Sequence, residues 1–227
     1  MTDIVTYVLT DGVAVITMDD GKANAMSLAL QQAIHAALDQ AERDAAPVVL
    51  TGRAGILSAG FDLKTLAASG QPAVDMLNGG LELAIRLLSF PHPVVIACGG
   101  HAIAMGVFIL HACDTRIGTA GDYKIGANEA ITGMNLPIFA MELARDRLNP
   151  SHLTRAMIQG YIYNPQGAVE AGYLDMLAPA DEVEAKALAV ASQIAQLPAP
   201  AYAWNKRAIR KTTLDRIKAS LGAHHKL

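Results

Sequence analysis

The sequence predicts an α/β fold, and three features of the chain predict it. Short apolar runs that suit buried strands lie at residues 48–50 and 94–97. Segments with the periodicity of amphipathic helices separate these runs along the first half of the chain. Helical patterns continue almost without a break from residue 137 onward. Strands that alternate with helices favour α/β layers over a helical bundle.

The N-terminal segment is predicted to form a β-hairpin followed by a helix. Residues 5–9 and 13–18 are apolar or alternate between apolar and polar, and the turn dipeptide Asp11-Gly12 lies between them. Ser27 follows a short loop and is a residue type that caps helices. We therefore expect a helix from Ser27 to about Arg43.

The other elements are predicted from the same signals. Loops built from small residues lie at 52–60 and 99–106, after two of the predicted strands. Two prolines within residues 197–200 indicate a stiff linker, so we divide the chain into a core at 1–197 and a C-terminal helical segment at 198–227. The predicted strands are 48–50, 94–97, 115–118 and 123–126, and the predicted helices are 74–88, 107–113, 138–147, 151–159, 165–171, 182–196 and 201–219.

The composition excludes several classes of function. Hydrophobic residues make up 52% of the chain and charged residues 17%, which allows a large core and leaves apolar surface for an oligomer. The net charge of −3 provides no basic stripe that would recruit nucleic acid. Neither a signal-peptide pattern nor an apolar run of membrane-spanning length is found, so we expect a cytoplasmic protein without membrane contacts.

No motif indicates a metal or a nucleotide cofactor. Cys98 and Cys113 lie in apolar surroundings, where we expect two reduced, buried thiols rather than a disulfide. The pair His224-His225 near the end of the chain has no spacing typical of metal ligands. A Gly-rich loop of the dinucleotide or P-loop type is also absent from the sequence.

Two loops of small residues each follow a predicted buried strand and lead into a helix. One spans residues 57–64 and the other spans residues 99–106. Small residues at the start of a helix expose backbone N–H groups, and the helix dipole favours negative charge there. Two such donors that point at one atom would form an oxyanion hole, although the same pattern also suits tight packing alone.

The order of these motifs resembles the crotonase (enoyl-CoA hydratase/isomerase) superfamily. Ser-Ala-Gly-Phe-Asp-Leu-Lys at 58–64, Pro-Val-Val-Ile-Ala at 93–97 and Cys-Asp-Thr-Arg-Ile at 113–117 carry the resemblance. It continues through Ile-Gly-Ala-Asn-Glu at 125–129 and covers the chain from the hairpin to Lys206. The resemblance implies a spiral of ββα units with a helical C-terminal region that takes part in forming a homotrimer or hexamer.

The resemblance also implies the substrate and its contacts. The substrate would be an acyl-CoA thioester, with coenzyme A as part of the substrate rather than a separate cofactor. The backbone N–H groups of Phe61 and Met105 would bind the thioester oxygen as it gains enolate charge. Lys206 resembles a lysine that meets the CoA phosphates of a neighbouring subunit, although a lysine on an amphipathic helix is often simply solvated. The residues implied to contact the substrate are Lys22, Ala23, Ala25, Ala59, Phe61, Asp62, Leu63, Phe108 and Lys206.

Two positions indicate which reaction the resemblance implies. Hydratases of the superfamily carry a glutamate on the helix after the second loop, and Phe108 occupies that place here. The other family glutamate corresponds to Glu129. The segment Gly-Ala-Asn-Glu that ends at Glu129 is similar to that of single-glutamate Δ3,Δ2-enoyl-CoA isomerases.

A single carboxylate suits isomerisation better than hydration. Adding water needs a positioned nucleophile and a proton donor, and paired carboxylates serve both purposes. Phe108 can do neither, and its ring would make the pocket drier, which raises the pKa of a nearby carboxyl group. Our first hypothesis is that Glu129 removes a proton from C2 of a 3-enoyl-CoA and returns it at C4.

Other hypotheses stay open at this stage. The chain could hydrate a 2-enoyl-CoA with a substitute acid or base, or perform another thioester reaction, because a fold does not fix a reaction. It could also be a non-catalytic acyl-CoA-binding protein. Asp62 could orient the first loop or cap the following helix, and we favour the cap. His101 and His111 are each expected to be a hydrogen-bonded histidine of the core or of an interface rather than a base. Residues that could line an acyl tunnel, or simply fill the core, are Met26, Leu66, Phe108 and Met134.

Overall fold

The computed structural model describes residues 3–220, and the predicted tail feature His224-His225 lies outside them. The strands are β1 (Val5–Thr10), β2 (Val13–Met18), β3 (Val48–Thr51), β4 (Gly55–Ser58), β5 (Val94–Cys98), β6 (Gly100–Ile103), β7 (Thr115–Thr119), β8 (Ile125–Gly126) and β9 (Met176–Ala178). The α-helices are α1 (Leu28–Arg43), α2 (Leu63–Ala68), α3 (Gln71–Ser89), α4 (Met105–Ala112), α5 (Glu129–Thr132), α6 (Ile138–Arg147), α7 (Pro165–Ala171), α8 (Val183–Ile194), α9 (Ala199–Ile209) and α10 (Lys211–Ala219).

Two sheets organise the described residues. In the larger sheet, of order β1-β2-β3-β5-β7-β9, β1 pairs antiparallel with β2 and every other pair is parallel. The smaller sheet is parallel, with the order β4-β6-β8. A strand of the larger sheet, a strand of the smaller sheet and a helix follow one another as β3-β4-α2, β5-β6-α4 and β7-β8-α5. This repeat confirms the predicted α/β fold built as a spiral of ββα units.

The central strands of the larger sheet are buried on both faces. Leu50 and Ile96 belong to the main core, which also contains the apolar faces of α1, α3 and α4. Val49 and Val95 point to the opposite face, where Ala187 of α8 covers them. Because helices cover both sides, these strands appear in the sequence as continuous apolar runs rather than as alternating ones.

The local signals at the start of the chain are confirmed. β1 and β2 pair through Thr10 and Val13, and the turn residues Asp11 and Gly12 have φ values of 49° and 80°. Positive φ at both positions is typical of the two-residue hairpin turn that the dipeptide predicts. Ser27 caps α1, since its Oγ accepts a hydrogen bond from the N–H of Leu30 at 3.2 Å.

Several helix boundaries differ from the prediction. α3 begins at Gln71, before the predicted residue 74, because Pro72 fits the first turn of a helix, where no N–H donor is needed. The predicted helix 151–159 is instead a 3₁₀ turn at Pro150–His152 and a π-helical turn at Thr154–Ile158. The predicted helix 201–219 is two helices, α9 and α10, which meet at Arg210.

The strands β4, β6 and β9 are absent from the prediction. β4 and β6 lie inside the two loops of small residues, whose composition is typical of turns rather than strands. Their backbone groups pair with each other in parallel, so tertiary pairing overrides local propensity. Within residues 3–220, no helix is long and apolar enough to cross a membrane. Cys98 and Cys113 are both buried free thiols, as expected.

Candidate active site

The loop at 20–25 forms a rigid wall next to the first loop of small residues. The Asp20 carboxylate accepts hydrogen bonds from the N–H groups of Lys22, Asn24 and Ala25 at 2.8, 2.9 and 3.0 Å. Partial burial alone would raise the pKa of Asp20, but these hydrogen bonds hold it below its ordinary value. The charged carboxylate therefore fixes the loop that contains three predicted CoA contacts.

Asn24 and Ser58 join this wall to the first loop. The buried amide of Asn24 donates to the carbonyl oxygens of Met18 at 2.9 Å and Leu57 at 3.2 Å. The Ser58 hydroxyl donates to the carbonyl oxygen of Asn24 at 2.7 Å and accepts from the N–H of Gly60 at 3.1 Å. The backbone just before Phe61 is thus held by buried hydrogen bonds on both sides.

The two loops of small residues meet next to the predicted oxyanion donors. A Cβ atom placed on Gly60 would lie 2.8 Å from the Ala104 Cβ and 3.5 Å from the Met105 backbone nitrogen. Gly60 has a φ of 98°, which a residue with a side chain rarely adopts. Among the described residues, the N–H groups of Phe61 and Met105 have no hydrogen-bond partner. Two unused donors therefore stand at the junction of the loops.

The ring of Phe61 is positioned by α3. A Cβ atom placed on Gly80 would lie 2.5 Å from Cζ of Phe61, so only a glycine allows the ring to lie against the helix backbone. Asp62 caps α2, accepting from the N–H of Lys64 at 3.2 Å and from the Thr65 hydroxyl at 2.8 Å. The capping role that we favoured for Asp62 is confirmed.

A cavity of about 360 Å³ opens beside this junction. Ala59, Phe61 and Ala104 are among its lining residues, whereas Met105 is fully buried and is not one of them. Asn128, Thr132 and Asn135 supply its other polar groups apart from Glu129. The apolar lining residues are Leu63, Leu66, Leu77, Phe108, Met134 and Pro137. The cavity can therefore hold an apolar chain with a polar group at the end that meets the donors.

Glu129 is the one carboxylate that lines the cavity in the described part of the chain. It is the first residue of α5, only 8% exposed, and its Oε2 has no hydrogen-bond partner. Burial raises the pKa of Glu129 above its ordinary value, opposed only by a backbone N–H. A buried carboxylate with a free oxygen is suited to take up a proton.

The structure brings most of the predicted site residues together. Ala59, Phe61, Leu63, Phe108 and Glu129 line the cavity. The predicted contacts Lys22, Ala23 and Ala25 lie in the adjoining wall, where the N–H of Ala59 donates to the carbonyl oxygen of Ala23 at 3.0 Å. Of the candidates for an acyl tunnel, Leu66, Phe108 and Met134 line the cavity, whereas Met26 is fully buried in the core.

Lys206 lies away from the cavity. Its ammonium contacts the Asp114 carboxylate at 2.7 Å and the His92 carbonyl oxygen at 3.3 Å, and the residue is 6% exposed. Burial lowers the pKa of Lys206 to about 8, although Asp114 opposes this shift. The structure therefore does not show the free cation that the resemblance implied, and a contact of Lys206 with a neighbouring subunit's substrate stays a prediction.

Of the two histidines that we expected to be hydrogen-bonded, only one is. His101 is half-buried, and its Nδ1 accepts from the Lys124 N–H at 2.9 Å. His111 is fully buried beside the ring of Tyr173, 5.0 Å away, and neither ring nitrogen has a partner among the described residues. Its burial in an apolar core holds the pKa of His111 well below the ordinary value.

Sequence reasoning missed seven of the residues that line the cavity, namely Leu77, Ala104, Asn128, Thr132, Gly133, Asn135 and Pro137. Asn128 and Asn135 line the cavity, and Asn128 could have been inferred only from its place beside Glu129. Ala104 also lines the cavity, at a φ of 51°. An alanine gives no sign in the sequence that its backbone adopts such a conformation.

Comparison with known proteins extends these observations. Residues 9–227 match the family model described as enoyl-CoA hydratase/isomerase. The mitochondrial enoyl-CoA delta isomerase 1 of Mus musculus is 28% identical over 212 residues, which are 91% of this chain and 73% of the mouse protein.

Solved structures share the fold over almost the whole chain. An enoyl-CoA hydratase/isomerase family protein from Pseudomonas syringae has a TM-score of 0.97 and 43% identity, covering 100% of this chain and 99% of that one. A Mycobacterium tuberculosis protein named an enoyl-CoA isomerase has a TM-score of 0.94 and 44% identity, covering 98% and 97%. Another structure of the same mycobacterial protein is named a probable enoyl-CoA hydratase. These proteins are named for one family but for two different reactions, isomerisation and hydration.

Proposed function

The chain belongs to the enoyl-CoA hydratase/isomerase family, and on that premise we propose that it moves the double bond of a 3-enoyl-CoA to the 2 position. Glu129 is the base, and the backbone N–H groups of Phe61 and Met105 bind the thioester oxygen. The Lys22–Ala25 wall, with Ala59, Asp62 and Leu63, receives the CoA portion. The active form is a homotrimer or hexamer.

The reaction needs only these groups. The Glu129 carboxylate removes a proton from C2, and the electrons of that C–H bond spread over the thioester oxygen and the former double bond. The two N–H donors stabilise the negative charge on the oxygen of this dienolate. Protonated Glu129 then gives the proton to C4, and the double bond is left between C2 and C3. The reaction consumes no co-reactant, because the proton removed from C2 is the one returned at C4, and the Glu129 carboxylate is regenerated.

One observation carries this proposal: among the described residues, Glu129 is the single carboxylate of a cavity whose remaining polar groups are neutral. Phe108, which is 1% exposed, occupies the place of the other family glutamate. Hydration requires a group to activate water and a group to protonate the adjacent carbon. A lone carboxylate supports proton transfer between two carbons more readily than it supports water addition.

The proposal is tested by replacing Glu129 with glutamine. We expect Glu129→Gln to lower isomerisation of 3-hexenoyl-CoA by about 10²- to 10⁴-fold, the usual contribution of a general base. Affinity for 2-hexenoyl-CoA, measured by calorimetry, should change little because the side chain keeps its shape. Glu82→Gln removes an exposed carboxylate on α3 and serves as the matched control, with activity unchanged. Equal rates in the wild type and Glu129→Gln would exclude Glu129 as the base.

A further inference from the structure

Ala104 has a backbone conformation that alanine rarely adopts. Its φ of 51° and ψ of −120° lie in a region that glycine populates and that a Cβ atom disfavours. Both of its backbone groups are engaged: the N–H donates to the carbonyl oxygen of Gly126 at 3.1 Å, and the C=O accepts from the N–H of Val107 at 3.0 Å. The surrounding structure thus imposes this conformation. An alanine at this position therefore carries a conformational free-energy cost that a glycine would avoid.

The methyl group of Ala104 adds a side-chain contact between the two loops, which also pair through β4 and β6. It lies against Gly60, where an added Cβ would be only 2.8 Å from the Ala104 Cβ. Gly60 is followed directly by Phe61, and Ala104 is followed directly by Met105. The methyl group therefore fills the space between the peptide units that carry the two N–H donors. Without it, a gap would remain at the point where the loops touch.

The N–H of Ala104 connects the same junction to the base. Its acceptor, Gly126, ends β8, and Glu129 begins α5 three positions later. One residue thus contacts both donor loops and the segment that carries Glu129. No other residue lining the described cavity has this combination of contacts.

We propose that Ala104 is a positioning residue for the reaction. Its methyl group sets the spacing between the N–H donors of Phe61 and Met105, and its own N–H fixes these donors relative to Glu129. This inference rests on the proposed function for the role of the two donors. It assigns no direct chemical role to the Ala104 side chain.

The substitution Ala104→Gly removes only the methyl group and tests this role. We expect the kcat for 3-hexenoyl-CoA to fall by about tenfold or more, short of the roughly 10²- to 10³-fold loss expected when one oxyanion donor is removed. KM should stay within about twofold, since the CoA contacts lie elsewhere. Ala104→Ser keeps the Cβ atom and should restore most of the lost kcat.

A readout that does not depend on turnover is the carbonyl stretching frequency of bound 2-hexenoyl-CoA. Hydrogen bonds from the two donors polarise the thioester carbonyl and lower this frequency. In Ala104→Gly, the band should move back towards its position in water, and in Ala104→Ser it should stay near the wild-type position. An unchanged band in Ala104→Gly would overturn the inference.

The matched control is Ala45→Gly. Ala45 follows the C-terminal end of α1, is exposed, and has a φ of 50°. In both glycine variants, relief of backbone strain opposes the greater freedom of the unfolded chain, so each melting temperature should stay close to that of the wild type. Ala45→Gly should leave kcat and the carbonyl band unchanged.

The two proposals fail in different ways. If the wild type does not isomerise 3-hexenoyl-CoA, the proposed function is wrong, and the carbonyl band still tests Ala104. If the wild type isomerises and Ala104→Gly matches it in kcat and band position, the function stands and the positioning role is wrong. A loss of kcat accompanied by an equal loss in Ala45→Gly would also contradict the positioning role.

Discussion

The side chain of Glu129 is deeply buried and has no charged partner among residues 3–220. The buried carboxylate of Asp114, by contrast, is paired with Lys206 and Arg210. At Glu129 burial dominates and raises the pKa. A base of this kind is strong once ionised, and it becomes ionised at a higher pH than an ordinary glutamate.

The raised pKa of Glu129 predicts the acid limb of the activity profile. The base must be ionised, so kcat/KM for 3-hexenoyl-CoA should fall as pH falls through the pKa of Glu129, with a midpoint above the ordinary value of 4.5. The measurement is the pH profile of kcat/KM, with enzyme held at each pH and assayed again at neutral pH to exclude unfolding. A midpoint at or below 4.5 would contradict the assignment.

His111 predicts a pH dependence of stability. Its pKa is held well below 6.5 by burial and then by Arg116 and Arg147, so the folded state keeps the ring neutral while the unfolded chain takes up a proton. Stability is therefore present above pH 6.5 and is lost as pH falls below it. The expected slope is about 1.4 kcal/mol per pH unit.

The variant His111→Leu tests this prediction. Between pH 7.5 and pH 5.5, its free energy of unfolding in urea should fall by about 1 kcal/mol less than that of the wild type. Comparing two pH values for each protein removes the effect of the altered packing against Tyr173. Parallel losses in both proteins would show that His111 does not titrate between the two states.

Individual residues show which parts of the site can be predicted from the sequence and which cannot. Glu129 and Phe108 could be assigned because their side chains carry or lack a carboxylate in a motif. Ala104 could not, since its importance lies in a φ angle and in a contact with Gly60. The ion pair of Lys206 with Asp114 could not be inferred from the sequence, since the two residues are 92 positions apart.

At the scale of elements, the helices could be predicted better than the strands. α1 and α2 begin at the expected caps, because a capping side chain acts on the N–H groups of the next few residues. β4 and β6 were missed because they consist of small residues and gain their stability from pairing with each other. The ββα repeat can therefore be predicted from the family resemblance but not from the periodicity of the sequence.

The division of the C-terminal helix at Arg210 has a tertiary cause. Arg210 donates to the Leu88 carbonyl oxygen at 3.0 Å and contacts the Asp114 carboxylate at 2.7 Å. Asp114 also accepts from the Tyr202 hydroxyl at 2.8 Å and pairs with Lys206. Burial alone would raise the pKa of Asp114, but the two cations hold it below its ordinary value. The carboxylate therefore fastens α9 and the start of α10 to the core.

Removing this carboxylate should destabilise the protein strongly. Asp114→Asn leaves Lys206 and Arg210 buried without their partner, which costs about 3–5 kcal/mol in comparable cases. Urea unfolding measures this change in the free energy of unfolding. The control Asp215→Asn breaks the exposed pair with Lys211 and should cost no more than about 0.5 kcal/mol. Similar effects of the two variants would contradict the role assigned to Asp114.

At the scale of the whole molecule, the residues that we propose as catalytic follow the strands of the smaller sheet. Phe61 follows β4, Met105 follows β6 and Glu129 follows β8, and the cavity is lined by Phe61, by Ala104 next to Met105, and by Glu129. Successive turns of one spiral therefore bring together residues far apart in sequence. This convergence could be inferred from the family resemblance, whereas the cavity that it encloses required the three-dimensional structure.

Our central proposal is that Glu129 works as a single carboxylate, because no second carboxylate of the described residues lines the cavity. Its most direct test is a paired assay of the wild-type protein, with double-bond migration followed on 3-hexenoyl-CoA and water addition followed on 2-hexenoyl-CoA. We expect migration without measurable hydration, because Phe108 stands where a second carboxylate would be needed. Hydration at a rate comparable to migration would contradict it.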